Sequence, residues 1–226
     1  MNQDCDFCSE LHGPTSRFHE YYAGLLATRV LVATQRFAIV PSMGQIVRGS
    51  LMLVTRHHVE RFADLDHPSL LEAQGLLATL AEASDAVVYF EHGARSSTGG
   101  SCGIYHAHVH VVELPPSLTV THLASDLAPS CESLPECWTR LSKFEEYLLL
   151  RAADGRTWTR EVLPTERARF PSQYFRRRLA TVSGAFERWN WRNISQPEPE
   201  LIDAFRFWTR RLQPPEHSAS QAALAC

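Results

Sequence analysis

The amino-acid sequence predicts an α+β fold built on a mostly antiparallel sheet with packed helices. Two observations carry this prediction. Five short segments rich in apolar and β-branched residues lie within residues 28–114, and one longer segment between them repeats its leucines and alanines at helical spacing. The resulting order is strand, strand, strand, helix, strand, loop, strand, which is typical of an α+β unit.

Each of these elements has a local signal. Proline and glycine end the strands, and the helix has two candidate N-caps, Asp66 and Ser69, with Pro68 in its first turn. The helix is expected to run to about Ser84, and four glycines mark residues 92–103 as a loop. The five predicted strands are 28–34, 37–40, 51–55, 86–91 and 104–114.

The pattern changes after Pro116. A hairpin is predicted around Asp154-Gly155, from strands at 147–152 and 157–163, and helices are predicted at 172–183 and 198–212. The expected organisation is therefore a domain over residues 1–116 and a mixed α/β extension over 117–212 that packs on it. Residues 213–226 are expected to form a disordered tail.

Composition narrows the function classes. Apolar content of 44% and charged content of 21% are ordinary for a globular protein, and the net charge of −3 argues against a nucleic-acid binder. No signal peptide or membrane-spanning stretch is evident, so a cytoplasmic protein without a membrane partner is expected. Thiols stay reduced in that compartment, so clustered cysteines indicate metal ligands rather than a disulfide. Of the six cysteines, only Cys5 and Cys8 have a spacing of this kind, Cys-x-x-Cys.

The strongest motif is the run YHAHVHVV at residues 105–112. Alternate residues of a strand point to the same side, so His106, His108 and His110 are expected to share one face while Ala107, Val109 and Val111 face a core. Neutral imidazole is nucleophilic near pH 7, and a covalent intermediate splits one hydrolysis into two easier displacements. Two alternatives stay open, a solvated polar strand face and a three-histidine metal site.

The run resembles the motif of the histidine-triad (HIT) superfamily, His-φ-His-φ-His-φ-φ, where φ is apolar. The resemblance implies a fold of that type over residues 5–115, with His108 as nucleophile, His110 as phosphate ligand and His106 beside them in the catalytic triad. The Phe90-Glu91 pair, followed by a glycine-rich loop, resembles the corresponding segment of the galactose-1-phosphate uridylyltransferase branch. The blocks that carry the resemblance are 37–41 (FAIVP), 49–54 (GSLMLV), 56–58 (RHH), 90–91 (FE) and 105–112.

The resemblance also implies a structural zinc ion. Several branches hold it with a Cys-x-x-Cys pair, a histidine after the third strand and the first histidine of the triad. By position these are Cys5, Cys8, His58 and His106, although His57 is an alternative to His58. Two free cysteines without a metal are the other interpretation of Cys5 and Cys8. Four protein donors leave no open position, so such a metal is structural.

Substrate contacts are expected around the triad and from the extension. Backbone N–H groups of the loop before the triad can bind phosphate, and the basic, aromatic segment 171–178 can form a lid or pocket wall together with residues 189–192. A solvated helix with core aromatics is the alternative for that segment. The substrate-binding candidates are Ser101, Gly103, His92, Gln173 and Arg176.

The leading hypothesis is a nucleotide hydrolase that cleaves a phosphoramidate or phosphoanhydride bond at the α-phosphorus through a nucleotidyl-histidine and releases a nucleoside monophosphate such as AMP. The resemblance extends to nucleoside phosphoramidases that act on peptide–nucleotide antibiotics, which suggests a role in antibiotic resistance. One alternative is a nucleotidyl transferase of the galactose-1-phosphate uridylyltransferase type, and another is a non-catalytic nucleotide-binding protein. The expected partner is a nucleotide or nucleotide conjugate, and both monomer and homodimer stay open.

Overall fold

The computed structural model describes residues 5–82, 86–96 and 103–212. Over these ranges the predicted α+β fold is confirmed, because a single eight-stranded sheet with antiparallel neighbours carries α-helices on both faces. The strands are β1 (Val32–Ala33), β2 (Phe37–Pro41), β3 (Leu51–Thr55), β4 (Val87–Ala94), β5 (His108–Glu113), β6 (Ala128–Ser130), β7 (Glu146–Ala152) and β8 (Thr157–Glu161). The helices are α1 (Asp6–His12), α2 (Arg17–Tyr22), α3 (His67–Ala81), α4 (Thr121–Ala124), α5 (Leu134–Leu141), α6 (Tyr174–Val182) and α7 (Pro199–Leu212).

The chain after Pro116 continues the sheet. The strand order is β1-β2-β3-β5-β4-β7-β8-β6, and β7 pairs with β4 from Val88↔Ala152 to Ala94↔Glu146. Strand β4 is therefore an interior strand, with β5 on one side and β7 on the other. The extension thus shares backbone hydrogen bonds with the strands that precede it.

The two faces of the sheet have separate cores. Alternation along β5 directs Ala107, Val109 and Val111 to the core under α3 and α5, as the period of two predicts. The opposite face is covered by α1 at one end, through Phe7, and by α6 at the other, through Phe175. His108 and His110 lie on this second face, between the two helices.

Three sequence predictions about element bounds were wrong. The predicted strand 28–34 is reduced to Val32–Ala33, and the predicted strand 104–114 begins only at His108. Ala107 is instead bonded on both sides, its N–H donating to the Val59 carbonyl at 2.6 Å and its carbonyl accepting from the Thr55 N–H at 3.2 Å. Residues 92–94, predicted as loop, extend β4 because β7 supplies a pairing strand that local composition does not reveal.

Helix α3 begins as predicted, with the Asp66 carboxylate accepting from the Ser69 N–H at 3.0 Å. Its expected end near Ser84 and the expected tail 213–226 lie outside the described residues. Four short helices, α1, α2, α4 and α5, were not predicted from the sequence. In the described part of the chain, no helix has both the length and the apolar character needed to cross a bilayer.

Candidate active site and metal centre

Four side chains from three distant segments form a compact donor cluster. Cys5 caps α1, Cys8 lies in its first turn, His58 follows β3 and His106 precedes β5. Their ligand atoms all lie within 4.8 Å of one another. The His106 Nδ1 atom is 3.3 Å from Cys5 Sγ and 3.6 Å from Cys8 Sγ, and His58 Nδ1 is 3.3 Å from Cys8 Sγ.

These separations fit a tetrahedral zinc ion. With Zn–S near 2.3 Å and Zn–N near 2.05 Å, a sulfur–nitrogen edge of the tetrahedron measures about 3.6 Å. Of the two neighbouring histidines, the cluster contains His58 and not His57. Four protein donors make a closed site of the structural kind.

The ionisation of the donors also suits a cation. The His106 Nε2–H donates to the Thr55 carbonyl at 2.7 Å, which leaves the Nδ1 lone pair directed at the two sulfurs. Burial lowers the pKa of His106 to about 4, so this imidazole is neutral at pH 7. Burial and the adjacent Cys5 raise the pKa of the Cys8 thiol to about 11, and a divalent cation between the sulfurs would relieve both effects.

His108 has the tautomer of a nucleophile. Its Nδ1–H donates to the His106 backbone carbonyl at 2.6 Å, so its Nε2 carries the lone pair. Burial lowers the pKa of His108 below its usual value, which keeps the ring neutral at pH 7. The Phe7 ring, set between the two cysteines, lies 5.3 Å from the His108 ring and 5.4 Å from the His106 ring.

His110 is the second imidazole of this face. Its ring centroid lies 5.2 Å from that of His108, and it stacks on Phe90 of β4 at 4.9 Å. Burial, followed by the charges of His108 and Arg176, lowers the pKa of His110 well below its usual range. The expectation that all three histidines belong to one strand is corrected, because His106 precedes β5 and its Nδ1 atom faces the two cysteines.

Arg176 of α6 brings a buried cation to the two histidines. Its guanidinium donates to the backbone carbonyls of Gly44, Arg188 and Trp189 at 2.8, 3.2 and 2.9 Å, and its side chain has no carboxylate partner among the described residues. Burial lowers the pKa of Arg176 to about 10, so it remains a cation at pH 7. A buried guanidinium bonded mainly to carbonyls is suited to binding an anion.

A cleft joins these groups. Apolar side chains such as Phe7, Phe18 and Met43 form part of its wall, and Arg17 and Arg176 bring cations to it. The residues that line it are Asp6, Phe7, Glu10, Ser16, Arg17, Phe18, Arg29, Ser42, Met43, Met52, Ile104, His108, His110, Arg176 and Trp191.

The remaining predicted contacts lie around the cleft. The Gly103 carbonyl accepts from the Arg192 guanidinium, and Ser101 lies outside the described residues. His92 shares the sheet face of Phe90 and bonds to Glu146 through Nε2 at 2.8 Å, but it is not among the described residues that line the cleft. Gln173 is also absent from that lining, and its amide bonds to Asn190 at 3.5 Å.

Sequence analysis missed several lining residues. Arg17 and Phe18 belong to α2, a helix too short to show a clear period, and Met43 lies in a turn. Phe7 was detectable in principle, since it lies inside the Cys-x-x-Cys pair and any metal there would hold it beside the triad. Partners such as Thr55 and Glu146 had no signal, because their contacts depend on strand pairing.

Comparison with known proteins gives structural likenesses of modest degree. No family model matches the chain, and no curated protein sequence matches it. A structure titled uridylyltransferase is 10% identical, with 83% of this chain and 92% of that chain covered, at a TM-score of 0.42. A hypothetical histidine triad nucleotide-binding protein from Sulfolobus tokodaii is 20% identical, with 62% and 87% covered, at 0.35.

A third solved structure is a zinc-bound histidine triad family protein from Mycobacterium smegmatis. It is 13% identical, with 50% of this chain and 76% of that chain covered, at a TM-score of 0.37. All three scores lie below 0.5, so neither a family nor an activity follows from these likenesses. The function is inferred from the side chains of the chain itself.

Proposed function

We propose that the chain is a nucleotide hydrolase in which His108 attacks the α-phosphorus. The observation that carries this proposal is the hydrogen bond from His108 Nδ1–H to the His106 carbonyl, which leaves Nε2 free in a cleft beside His110 and Arg176. A neutral, oriented imidazole beside a buried cation is suited to attack on an anionic phosphoryl group.

The reaction proceeds in two displacements. The Nε2 lone pair forms a bond to the α-phosphorus while the bond from phosphorus to the leaving amine or phosphate breaks, and an amine leaves with a proton taken up from solvent. Water then attacks the same phosphorus, the phosphorus–nitrogen bond to His108 breaks, and a nucleoside monophosphate departs. The proton lost by water passes to solvent, and His108 returns to its starting state.

The other lining residues have separable tasks in this proposal. The Arg176 cation and His110 stabilise the phosphoryl oxygens as charge develops on them. The apolar wall that includes Phe7, Phe18 and Met43 is suited to a nucleoside base. A zinc ion held by the cysteine–histidine cluster would supply structural anchoring, keeping α1 and Phe7 against the His108 ring.

The experiment is AMP release from adenosine 5′-phosphoramidate and from diadenosine polyphosphate by zinc-loaded protein, comparing wild type with His108→Ala. The matched control is His67→Ala, an exposed histidine at the start of α3. We expect turnover by wild type and the control and a loss of at least about a thousandfold in His108→Ala. A quenched reaction should contain an acid-labile AMP adduct on His108.

Other outcomes separate the rival functions. AMP transferred to an added sugar 1-phosphate in preference to water would make the chain a nucleotidyl transferase. Tight AMP binding without turnover by any substrate would make it a binding protein and refute the proposal. Preference for the phosphorus–nitrogen bond would extend the proposed substrates to nucleotide conjugates, including peptide–nucleotide antibiotics.

A further inference from the structure

We propose that Arg17, Trp191 and Arg192 form a subsite at the cleft mouth for an anionic leaving group, a carboxylate or a phosphate. This inference rests on the proposed function, because it assigns the part of the substrate that departs from the α-phosphorus. Arg17 and Trp191 line the cleft that contains His108. The Arg17 guanidinium donates to the Arg192 carbonyl at 2.9 Å, which joins α2 to the extension at the mouth.

The charges at the cleft are unbalanced. Arg29 is neutralised, because both of its paired nitrogens lie 2.6 Å from the Glu10 carboxylate. Arg17, Arg176 and Arg192 have no carboxylate within ion-pair distance in the described part of the chain, where the lining acids are Asp6 and the already paired Glu10. Two lining guanidinium groups, those of Arg17 and Arg176, are therefore set against one lining carboxylate, that of Asp6, and Arg192 adds a third cation next to Trp191. A bound anion would balance this excess of positive charge.

Aromatic stacking orients two of these cations. The Arg17 guanidinium carbon lies 5.4 Å from the centre of the Trp191 ring, and that of Arg192 lies 4.7 Å from it. Trp191 is 8% exposed, so the ring is a buried support for both. Arg17 uses one N–H group for the Arg192 carbonyl and Arg192 uses one for the Gly103 carbonyl, and their other N–H groups can bind an oxyanion while the ring supports the cations.

The position of the cations indicates that they bind the leaving group and not the nucleoside. In a displacement at phosphorus, the attacking and leaving atoms are roughly in line, so the leaving group extends away from His108. Exposure increases from the buried Arg176 through the half-buried Arg17 to the exposed Arg192, which marks the direction of the mouth. The Arg192 contact with the Gly103 carbonyl holds that side of the mouth against the segment leading to the triad.

The chemical consequence is discrimination between leaving groups of equal reactivity. When the phosphorus–nitrogen bond breaks, an amino acid leaves with its carboxylate still bound by the arginines, whereas its amide has no charge to bind. A phosphate leaving group offers the same oxyanion chemistry. Nucleotide conjugates of amino acids, and nucleotides with a further phosphate, are therefore the substrate class that the mouth fits.

The test compares matched substrates. Values of kcat/KM are measured for the AMP phosphoramidates of glycine and of glycinamide, which differ in one charge, and for ADP as the phosphate arm. We expect wild type to favour glycine over glycinamide by about tenfold or more, and Arg17→Gln with Arg192→Gln to bring that ratio near one. The control is Arg210→Gln, an exposed arginine of α7.

A variant that keeps the charge guards against a folding artefact. Arg17→Lys with Arg192→Lys should retain part of the preference, and thermal melting should show that both double variants are folded. Loss of ADP turnover alone would assign the subsite to phosphate, and loss of the glycine preference alone would assign it to a carboxylate. A glycine-to-glycinamide ratio and an ADP rate that are the same in wild type and in the glutamine variant would overturn the proposal.

The failure of the proposed function would be visible separately, as no turnover of any substrate by wild type. In that case, titration calorimetry with inorganic pyrophosphate tests whether the subsite binds anions. Binding that weakens about tenfold or more in the glutamine double variant supports it, and equal binding in wild type and variant refutes it.

Discussion

Removal of metal from the cysteine–histidine cluster should release α1 while the sheet stays folded. The perturbation is a chelator or Cys8→Ser. Without the metal, the segment is held by the buried Phe7 ring, the packing of Leu11, the Glu10–Arg29 ion pair and a 2.7 Å hydrogen bond between His12 Nε2 and the Arg56 carbonyl.

The energies of docking and ordering are nearly balanced. Burial of Phe7 contributes about 1.5–3 kcal/mol, and the hydrogen bond about 0.5–1.5 kcal/mol. Breaking the buried ion pair costs about 3–5 kcal/mol. Ordering the seven residues of α1 costs about 7–14 kcal/mol of conformational entropy. Without metal, the docked and released states of the segment therefore have similar free energies. A structural zinc ion binds small peptides with about 10–16 kcal/mol, which is enough to keep the segment docked.

The assay is amide hydrogen exchange followed by mass spectrometry, with metal content measured in parallel. After chelation, residues 6–12 should exchange at least about tenfold faster while β3 and β5 keep their protection. Trypsin should then cut after Arg17, the first lysine or arginine of the chain. Cys131→Ser, which changes an exposed cysteine outside the cluster, should keep both the metal and the protection.

Two results would refute this reasoning. Residues 6–12 that stay protected after complete loss of zinc would show that packing alone holds α1. A cooperative loss of protection in β3 and β5 together with α1 would show that the metal stabilises the whole sheet and that the local account is too narrow.

Three further predictions concern the cleft and its supports. Because burial lowers the pKa of His110 and the Arg176 charge acts in the same direction, activity should persist below pH 6.5, and Arg176→Gln should move the acid limb of kcat/KM to higher pH. Glu91→Ala should lower the free energy of unfolding by about 2–5 kcal/mol in a denaturant titration, since a backbone N–H and an indole N–H lose their buried acceptor; a change under 1 kcal/mol would count against this role. Gly44→Ala should cost about 1–3 kcal/mol and lower kcat/KM, because φ is +68° and the added carbon would lie 2.8 Å from an Arg176 nitrogen; an unchanged melting temperature and rate would contradict it.

Local patterning predicted the face of the histidine strand but not its beginning. Alternation along β5 is a property of consecutive residues, so the side occupied by Val109 and the opposite side occupied by His108 followed from the sequence. The start of the strand depends on Val59 and Thr55, which hold Ala107 through backbone hydrogen bonds from about 50 residues away in the chain. The different surroundings of His106, beside the cysteines, and of His108, on the strand, therefore depend on those remote bonds.

The elements after Pro116 were also predictable from local sequence only in part. Its helix at 172–183 and its hairpin were predicted from periodicity and turn residues, and both are present as α6, β7 and β8. Which edge of the sheet accepts β7, and which sheet face α6 covers, depends on pairing with β4 and on packing against Phe90. The basic segment could therefore be identified as a candidate wall, but the approach of Arg176 to the two imidazoles required the fold.

In the proposed function, the nucleophile and part of the substrate-binding wall come from different parts of the chain. His108 and His110 are placed by the alternation of one interior strand and by the bonds that fix its start. Arg176 and Trp191 come from the extension, where their backbone is attached to the sheet through β7 and not through β5. We therefore expect substitution of Trp191 to change which leaving group is accepted while the hydrogen bond that orients His108 stays intact, whereas substitution of His108 should remove turnover of every substrate.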